Sequence, residues 1–222
     1  MKKITLGFLA LAAGLGVPAA CAESFALDSA SRLKPHSVKV EAATYMGRKA
    51  IRVVPDSSVQ GGGGGLVIVD GTQFGDGVIE VDMAGKPGAG APGDARGFVG
   101  VAFRIADPSK YEAFYIRPTN GRADDQERRN HSTQYISLPD YEWFRLRKEN
   151  PGKYESYTDL VTGEWTKVKV EVRGVKARLY VNGAAQPALI VNDLKLGETK
   201  GAVGLWIGVG TEAHFANLKV SQ

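Results

Sequence analysis

The sequence predicts an all-β fold, a sandwich or jelly roll, held in one domain behind a short leader. Three observations lead there. Short runs alternate apolar and polar positions with a period of two and are rich in Val, Ile, Tyr and Phe. Gly-rich stretches, Pro and an Asn182-Gly183 pair separate these runs at roughly regular intervals. No segment combines a full apolar helical stripe with caps at both ends.

Residues 1–22 read as an export leader. Lys2 and Lys3 form a charged start, residues 4–17 an apolar stretch rich in Leu, Ala and Gly, and Pro18 ends it. The apolar stretch is too short to span a bilayer. Ala20-Cys21-Ala22 fits the small-residue cleavage rule, so a mature domain of residues 23–222 is expected, acting in the periplasm or outside the cell. A rival reading makes Cys21 the acylated residue of a lipoprotein anchor, although Pro18 stands where such signals carry Leu. Cys21 is the sole cysteine, so under either reading the mature domain has neither a disulfide nor a thiol nucleophile. It must rely on its core, and it is long enough to bury one.

The formal charge is +4, and loss of Lys2 and Lys3 leaves +2. That near balance gives no reason to expect a nucleic-acid partner. The basic cluster Arg145, Arg147 and Lys148 alternates with aromatics and Leu146 and reads as the solvated face of a strand.

Residues 37–54 hold two strands, with Val38, Val40 and Ala42 on one and Ile51 and Val53 on the other; Met46-Gly47-Arg48 is the turn. Five glycines follow at 61–65. No Gly-Lys-Ser/Thr comes after them, and Leu66 to Val69 looks like a strand, so a phosphate loop is not supported. GVIEVDM at 77–83 sets Val78, Glu80 and Asp82 against Ile79, Val81 and Met83. In residues 98–106 the alternation puts Val99, Val101, Phe103 and Ile105 inward, with Gly100, Ala102 and Arg104 outward. After Asp107-Pro108-Ser109 the chain pairs back, with Phe114 and Ile116 inward and Tyr111, Ala113, Tyr115 and Arg117 outward. Later strands carry Val168, Val170 and Val172, then Ala177, Leu179 and Val181, then Val203, Leu205, Ile207 and Val209 inward, with Gly204, Trp206 and Gly208 on the opposite face. HFANLKV closes the chain.

One stretch, residues 110–157, does not fit a scaffold. It starts as a strand, becomes a long polar segment and returns to aromatics. Long polar loops in compact domains are usually functional or disordered, and the density of aromatics argues against disorder.

Taken in order, GVIEVDM, GFVGVAFRI, YEAFYIRP, EWTKVKVEV, ARLYVNG, AVGLWIG and HFANLKV resemble the concanavalin A-like, laminin-G-like sandwiches of exported bacterial proteins. The likeness is greatest to the group linked to 3-keto-disaccharide hydrolysis and called glycoside-hydrolase-16-like. It implies a jelly roll of two stacked antiparallel sheets, the concave one presenting a sugar-sized groove. It does not fix an activity, because the fold hosts lectins, adhesion modules, glycosidases and lyases. Family 16 glucanases carry three carboxylates on one strand. Here Glu80 and Asp82 supply two and no third, so that mechanism does not transfer.

Sugar recognition needs flat aromatics and planar hydrogen-bonding groups. Trp206, flanked by glycines on its own face, is the stacking candidate, with Tyr115, Arg117 and Arg104 beside it. The central stretch adds Asn120, Arg129, Gln134, Tyr135 and Trp143 as candidate ligand contacts. His131, whose charge switches near neutral pH, is the candidate acid/base, with Glu155 as partner and Asp125 as a further carboxylate. Asp124 and Asp125 are candidate calcium ligands by chemistry, though not by loop spacing; no other cofactor is implied. Three functions remain open: an exported carbohydrate-binding sandwich, a glycoside-cleaving enzyme acting on a saccharide that could be a 3-keto sugar, and an adhesion domain that binds protein.

Overall fold

The computed structural model describes residues 22–58 and 64–222. Residues 1–21, with Cys21 and all of the expected leader except Ala22, and residues 59–63, with part of the glycine run, lie outside the described residues. Strands are numbered in chain order. One antiparallel sheet runs β13 (Leu189–Val191), β12 (Lys176–Val181), β11 (Thr166–Arg173), β6 (Gly77–Pro87), β15 (Thr211–Ser221), β4 (Arg48–Pro55), β3 (Val38–Tyr45), and β1 (Ala22–Phe25) also pairs with β15. The other runs β10 (Glu155–Ser156), β9 (Thr133–Leu138), β8 (Lys110–Ile116), β7 (Val99–Asp107), β14 (Gly201–Ile207), β5 (Gly65–Phe74), β2 (Leu33–His36). These are the two antiparallel sheets expected of a concanavalin A-like sandwich.

The alternation decides which side chains meet between the sheets. Ile79, Val81 and Met83 of β6 and Val168, Val170 and Val172 of β11 face Val99, Val101 and Phe103 of β7 and Val203, Leu205 and Ile207 of β14 in one buried cluster. Full burial of each such side chain contributes about 1.5–3 kcal/mol. A second, smaller cluster lies on the outer face of the seven-stranded sheet: Leu66, Ala102, Ile105, Tyr111, Ala113, Tyr115, Ile136 and Trp206. That sheet is therefore apolar on both faces, and its outer face is where a site can form.

Ile105 and Arg104 have exchanged the faces that strict alternation assigns them. Arg104 has φ +52°, and the β7–β8 register shifts between Phe103 and Asp107, so a bulge reverses the pleat. Ile105 joins the outer cluster. Arg104 is buried, and its guanidinium donates to the carbonyls of Gly75 (3.1 Å), Gly174 (2.8 Å) and Gly197 (2.5 Å) and to Asp76 Oδ1 (3.1 Å). Glu112 Oε2 lies 3.6 Å away. Arg104 thus ties three connections together at one end of the sandwich and does not line the cavity over the seven-stranded sheet. Tyr135, also expected at the ligand, is fully buried between the sheets and donates to Glu112 Oε1 at 2.6 Å.

Residues 118–157 are more ordered than a polar loop. A 3-10 turn at Pro118–Asn120, helix α1 (Gln126–Asn130), β9, helix α2 (Trp143–Glu149) and β10 fill the segment. The Arg145–Lys148 cluster lies on α2, not on a strand; only Leu146 of that helix is buried.

Truncation of a buried charge partner leaves the other groups unsatisfied. Arg104→Ala is expected to destabilise the protein by roughly 3–5 kcal/mol in urea unfolding, and Arg104→Lys to recover little, because an ammonium lacks the fork that reaches these carbonyls.

Candidate functional site

The site is organised on one rung of the seven-stranded sheet. Directly opposed residues run His36, Leu66, Trp206, Gly100, Tyr115, Gln134, Glu155 from edge to edge. Opposed residues of an antiparallel sheet share a face. Gly100 is decisive: with no side chain between them, the rings of Trp206 and Tyr115 stack across it at 4.6 Å. A Cβ on Gly100 would stand 2.3 Å from Phe114 O and 2.5 Å from Tyr115 Cβ. Trp206 Nε1 donates to Tyr111 Oη at 3.1 Å, and burial pushes the Tyr111 hydroxyl up to about 12, so it stays protonated.

Above this rung lies a half-open cavity of about 630 Å³, within the size range of ligand pockets. Its floor includes Trp206, Tyr115 and Ile136. Phe98 and Trp143 supply its accessible aromatic surface; Trp143 is 43% exposed, Trp206 only 8%. The glycines beside Trp206 do not make room for a ligand. A Cβ on Gly204 would meet Ile105 at 2.8 Å, and one on Gly208 would meet Phe98 at 2.6 Å. Trp206 thus lies in the floor of the cavity, and the more exposed aromatic surface is that of Trp143 and Phe98.

The polar wall is built on Arg117, which follows β8. Its Nη1 donates to His131 O (2.8 Å), and its Nη2 to Tyr115 Oη (2.9 Å) and Gln134 Oε1 (3.0 Å). Burial lowers its pKa. Asn120 Nδ2 donates to the same His131 carbonyl at 3.3 Å, while its buried Oδ1 has no hydrogen-bond partner among the described residues. Glu155 is 5% exposed and held by Arg147, with three contacts of 2.7–3.2 Å. His131 Nε2 lies 3.5 Å from Glu155 Oε1. Burial lowers the His131 pKa, Arg147 and Arg117 act in the same sense, and Glu155 opposes them. The ring is therefore neutral near pH 7.

Of the residues singled out in the sequence, Tyr115, Arg117, Asn120, His131, Trp143 and Trp206 line the cavity. Gln134 and Glu155 sit behind it, bound to Arg117 and Arg147. Four lie elsewhere. Arg104 and Tyr135 are internal, as above. Arg129 stacks on Tyr157 at 5.0 Å and donates to its hydroxyl, away from the cavity. Asp125 is the N-cap of α1, accepting from Arg128 N at 3.0 Å, and it forms no metal-binding group with Asp124 among the described residues. The sequence reading did not place Asp94, Arg96, Phe98, Glu142 or Arg147 at a site, and all five line the cavity, as does Arg128 of the central polar stretch. Apart from the strand-flanking Gly97-Phe98 pair, no local pattern marks them, because the loops that carry them converge only in the fold.

A model of the 3-keto-alpha-glucoside-1,2-lyase-like domain matches residues 33–221. The chain belongs to that family. This agrees with the resemblance carried by the strand motifs. No curated protein sequence matches the chain. Among solved structures, the fold is similar to that of carbohydrate-binding module CBM66 from Bacillus subtilis, at 14% identity and TM-score 0.58, covering 85% of this chain and 95% of that one. It is similar to a Bacillus subtilis protein with a galectin-like fold, at 14% identity and TM-score 0.59, covering 90% and 94%. It is also similar to a putative glycosyl hydrolase of Parabacteroides distasonis, at 12% identity and TM-score 0.56, covering 89% and 98%.

The half-buried His131 and the buried His214 make stability depend on pH. In the fold, burial holds both His131 and His214 below their ordinary 6.5. The unfolded chain therefore takes up these protons first as the pH falls. The stabilisation is full above 6.5 and is lost as the pH drops from there through the folded values. Thermal melts are expected to show a lower Tm at about pH 5 than at about pH 7, and a His131→Gln/His214→Gln double variant to show a smaller difference.

Proposed function

We propose that this protein binds a saccharide in the cavity over the outer face of the seven-stranded sheet. One observation carries the reading: accessible aromatic surface from Trp143 and Phe98 converges with Arg117, Asn120 and His131 on one half-open cavity. Sugar rings pack their C–H faces on aromatics, and their hydroxyls need donors and acceptors at fixed angles. The unpartnered Asn120 Oδ1 is an acceptor suited to a hydroxyl. The carbohydrate-binding module among the similar folds supports the reading. So does the sequence of residues 1–22, which reads as an export leader and would bring the domain to extracytoplasmic glycans.

A second reading, cleavage of a 3-keto glycoside, is favoured by the family match and by neutral His131 on the cavity wall. A ketone at C3 acidifies the proton on C2. A base removes that proton, a double bond forms between C1 and C2, and the C1–O bond breaks to release the second sugar with its electron pair. His131 is the base in this scheme, oriented by Glu155.

A glycan array with the mature domain, residues 23–222, tests binding. Trp143→Ala, which removes an exposed side chain, is expected to weaken binding roughly tenfold or more with unchanged Tm. Binding that survives Trp143→Ala and Phe98→Ala unchanged would place the ligand elsewhere. Incubation with a 3-keto disaccharide tests cleavage: release of an unsaturated keto sugar, reduced about 10²–10⁴-fold in His131→Gln, is the expected result if the site is catalytic. Mass spectrometry of the exported protein should give a mature chain beginning at Glu23, and a lipid-modified Cys21 at its start would establish the anchor instead.

A further inference from the structure

We propose that the saccharide taken by this cavity is acidic, with its carboxylate held by Arg117. The proposal rests on the saccharide-site reading and adds to it the ligand's charge. It follows from how the cavity charges are paired. Arg147 is matched by Glu155, which it grips from both ends. Arg117 is 5% exposed and has no carboxylate partner among the described residues; its hydrogen bonds go to a carbonyl, a phenol and an amide oxygen. His131 adds no negative charge, and its own pKa is lowered. The cluster of Arg117, Arg147, Glu155 and His131 therefore keeps one positive charge in excess, nearly removed from water. Burying an unmatched guanidinium is costly, and a protein that keeps one on a cavity wall gains when an anion arrives.

The chemistry of the donor selects the class of anion. Of the five N–H groups of a guanidinium, three on Arg117 are engaged by protein acceptors. Nε–H and one Nη1–H make no hydrogen bond among the described residues. These two point to different sides of the guanidinium, since Nε–H lies on the Nη2 edge, so each offers a single charge-assisted hydrogen bond to one carboxylate oxygen. The adjacent Asn120 Oδ1, an acceptor with no partner, would repel a carboxylate but take a hydroxyl. Arg117 and Asn120 share the His131 carbonyl as an anchor, so one donor and one acceptor are held side by side. A sugar bearing a carboxylate next to a ring hydroxyl meets both demands, and a uronic acid is the simplest such molecule.

Calorimetry would compare methyl α-D-glucuronide with methyl α-D-glucoside, and the galacturonide with the galactoside, on the mature domain. The uronides are expected to bind at least roughly tenfold tighter, the gain typical of a charge-assisted hydrogen bond. The preference should persist in about 0.5 M NaCl, because a buried charge is poorly screened, and it should disappear in Arg117→Met. A preference lost in salt but kept in Arg117→Met would assign it to the rim cations Arg96 and Arg128 and overturn the proposal. Equal binding of neutral and acidic partners would overturn it too, while leaving the saccharide site standing. If no glycan of any charge binds, both readings fall. The salt arm needs only the unaltered protein, so it decides the matter even if Arg117→Met does not fold.

Discussion

The structure depends on one buried guanidinium. Arg104 sits in a left-handed bulge and holds the carbonyls of Gly75, Gly174 and Gly197, which belong to three different connections. The same bulge turns Ile105 to the opposite face, where it fills the space over Gly204 and helps wall in Trp206. A single departure from regular pleating therefore closes one end of the sandwich and adds Ile105 to the apolar cluster around Trp206 in the cavity floor. The two effects are inseparable, because the residue that turns inward to tie the loops forces its neighbour outward.

The rest of the site follows from a similar economy of side chains. Gly100 lets two aromatic rings touch across a strand, and Tyr115 in turn receives Arg117. Arg117 holds the His131 carbonyl, and His131 leans toward Glu155, which Arg147 of α2 clamps in place. Each polar group is positioned by the next, from the centre of the sheet to its edge. The rigid core supplies the platform, while the rim carries the exposed Trp143 and the carboxylates Asp94 and Glu142, matched in number by Arg96 and Arg128 on the same wall. The cavity thus combines a buried floor with a more exposed rim.

What could be read from the sequence is what alternation encodes. The inner valines of β6, β7, β11 and β14 fall where the period of two puts them. Alternation fails where another interaction outweighs it. Arg104 breaks the period because its four acceptors lie inside. β9 is hidden as a strand because both its faces are buried and its polar side chains satisfy one another: Gln134 with Arg117, Tyr135 with Glu112. In α2 the alternation of aromatic and basic residues mimics a strand, and a single buried leucine is too weak a signal to reveal two helical turns. Six of the candidate site residues meet at the cavity because they lie on β8, on β14 or in the polar segment that follows β8. Asp94 and Arg96 come from a remote Gly-rich loop, and nothing local announces them.

The pairing of β15 has a consequence for how the molecule is made. Val78 and Ile79 of β6 pair with Ser221 and Val220, and β15 lies between β6 and β4. The middle strand of one sheet is thus the last strand of the described chain to be synthesised. The loops joined by Arg104 are likewise separated from it by 70 and 93 residues on its C-terminal side. During translation, the early strands have no sheet to complete and no loop to close. Native structure must wait for nearly the whole polypeptide, and contacts of such long sequence separation form slowly. Before its final strand is available, a nascent chain of this topology can form hairpins of consecutive strands, such as β3–β4 and β7–β8, but not the complete sheet.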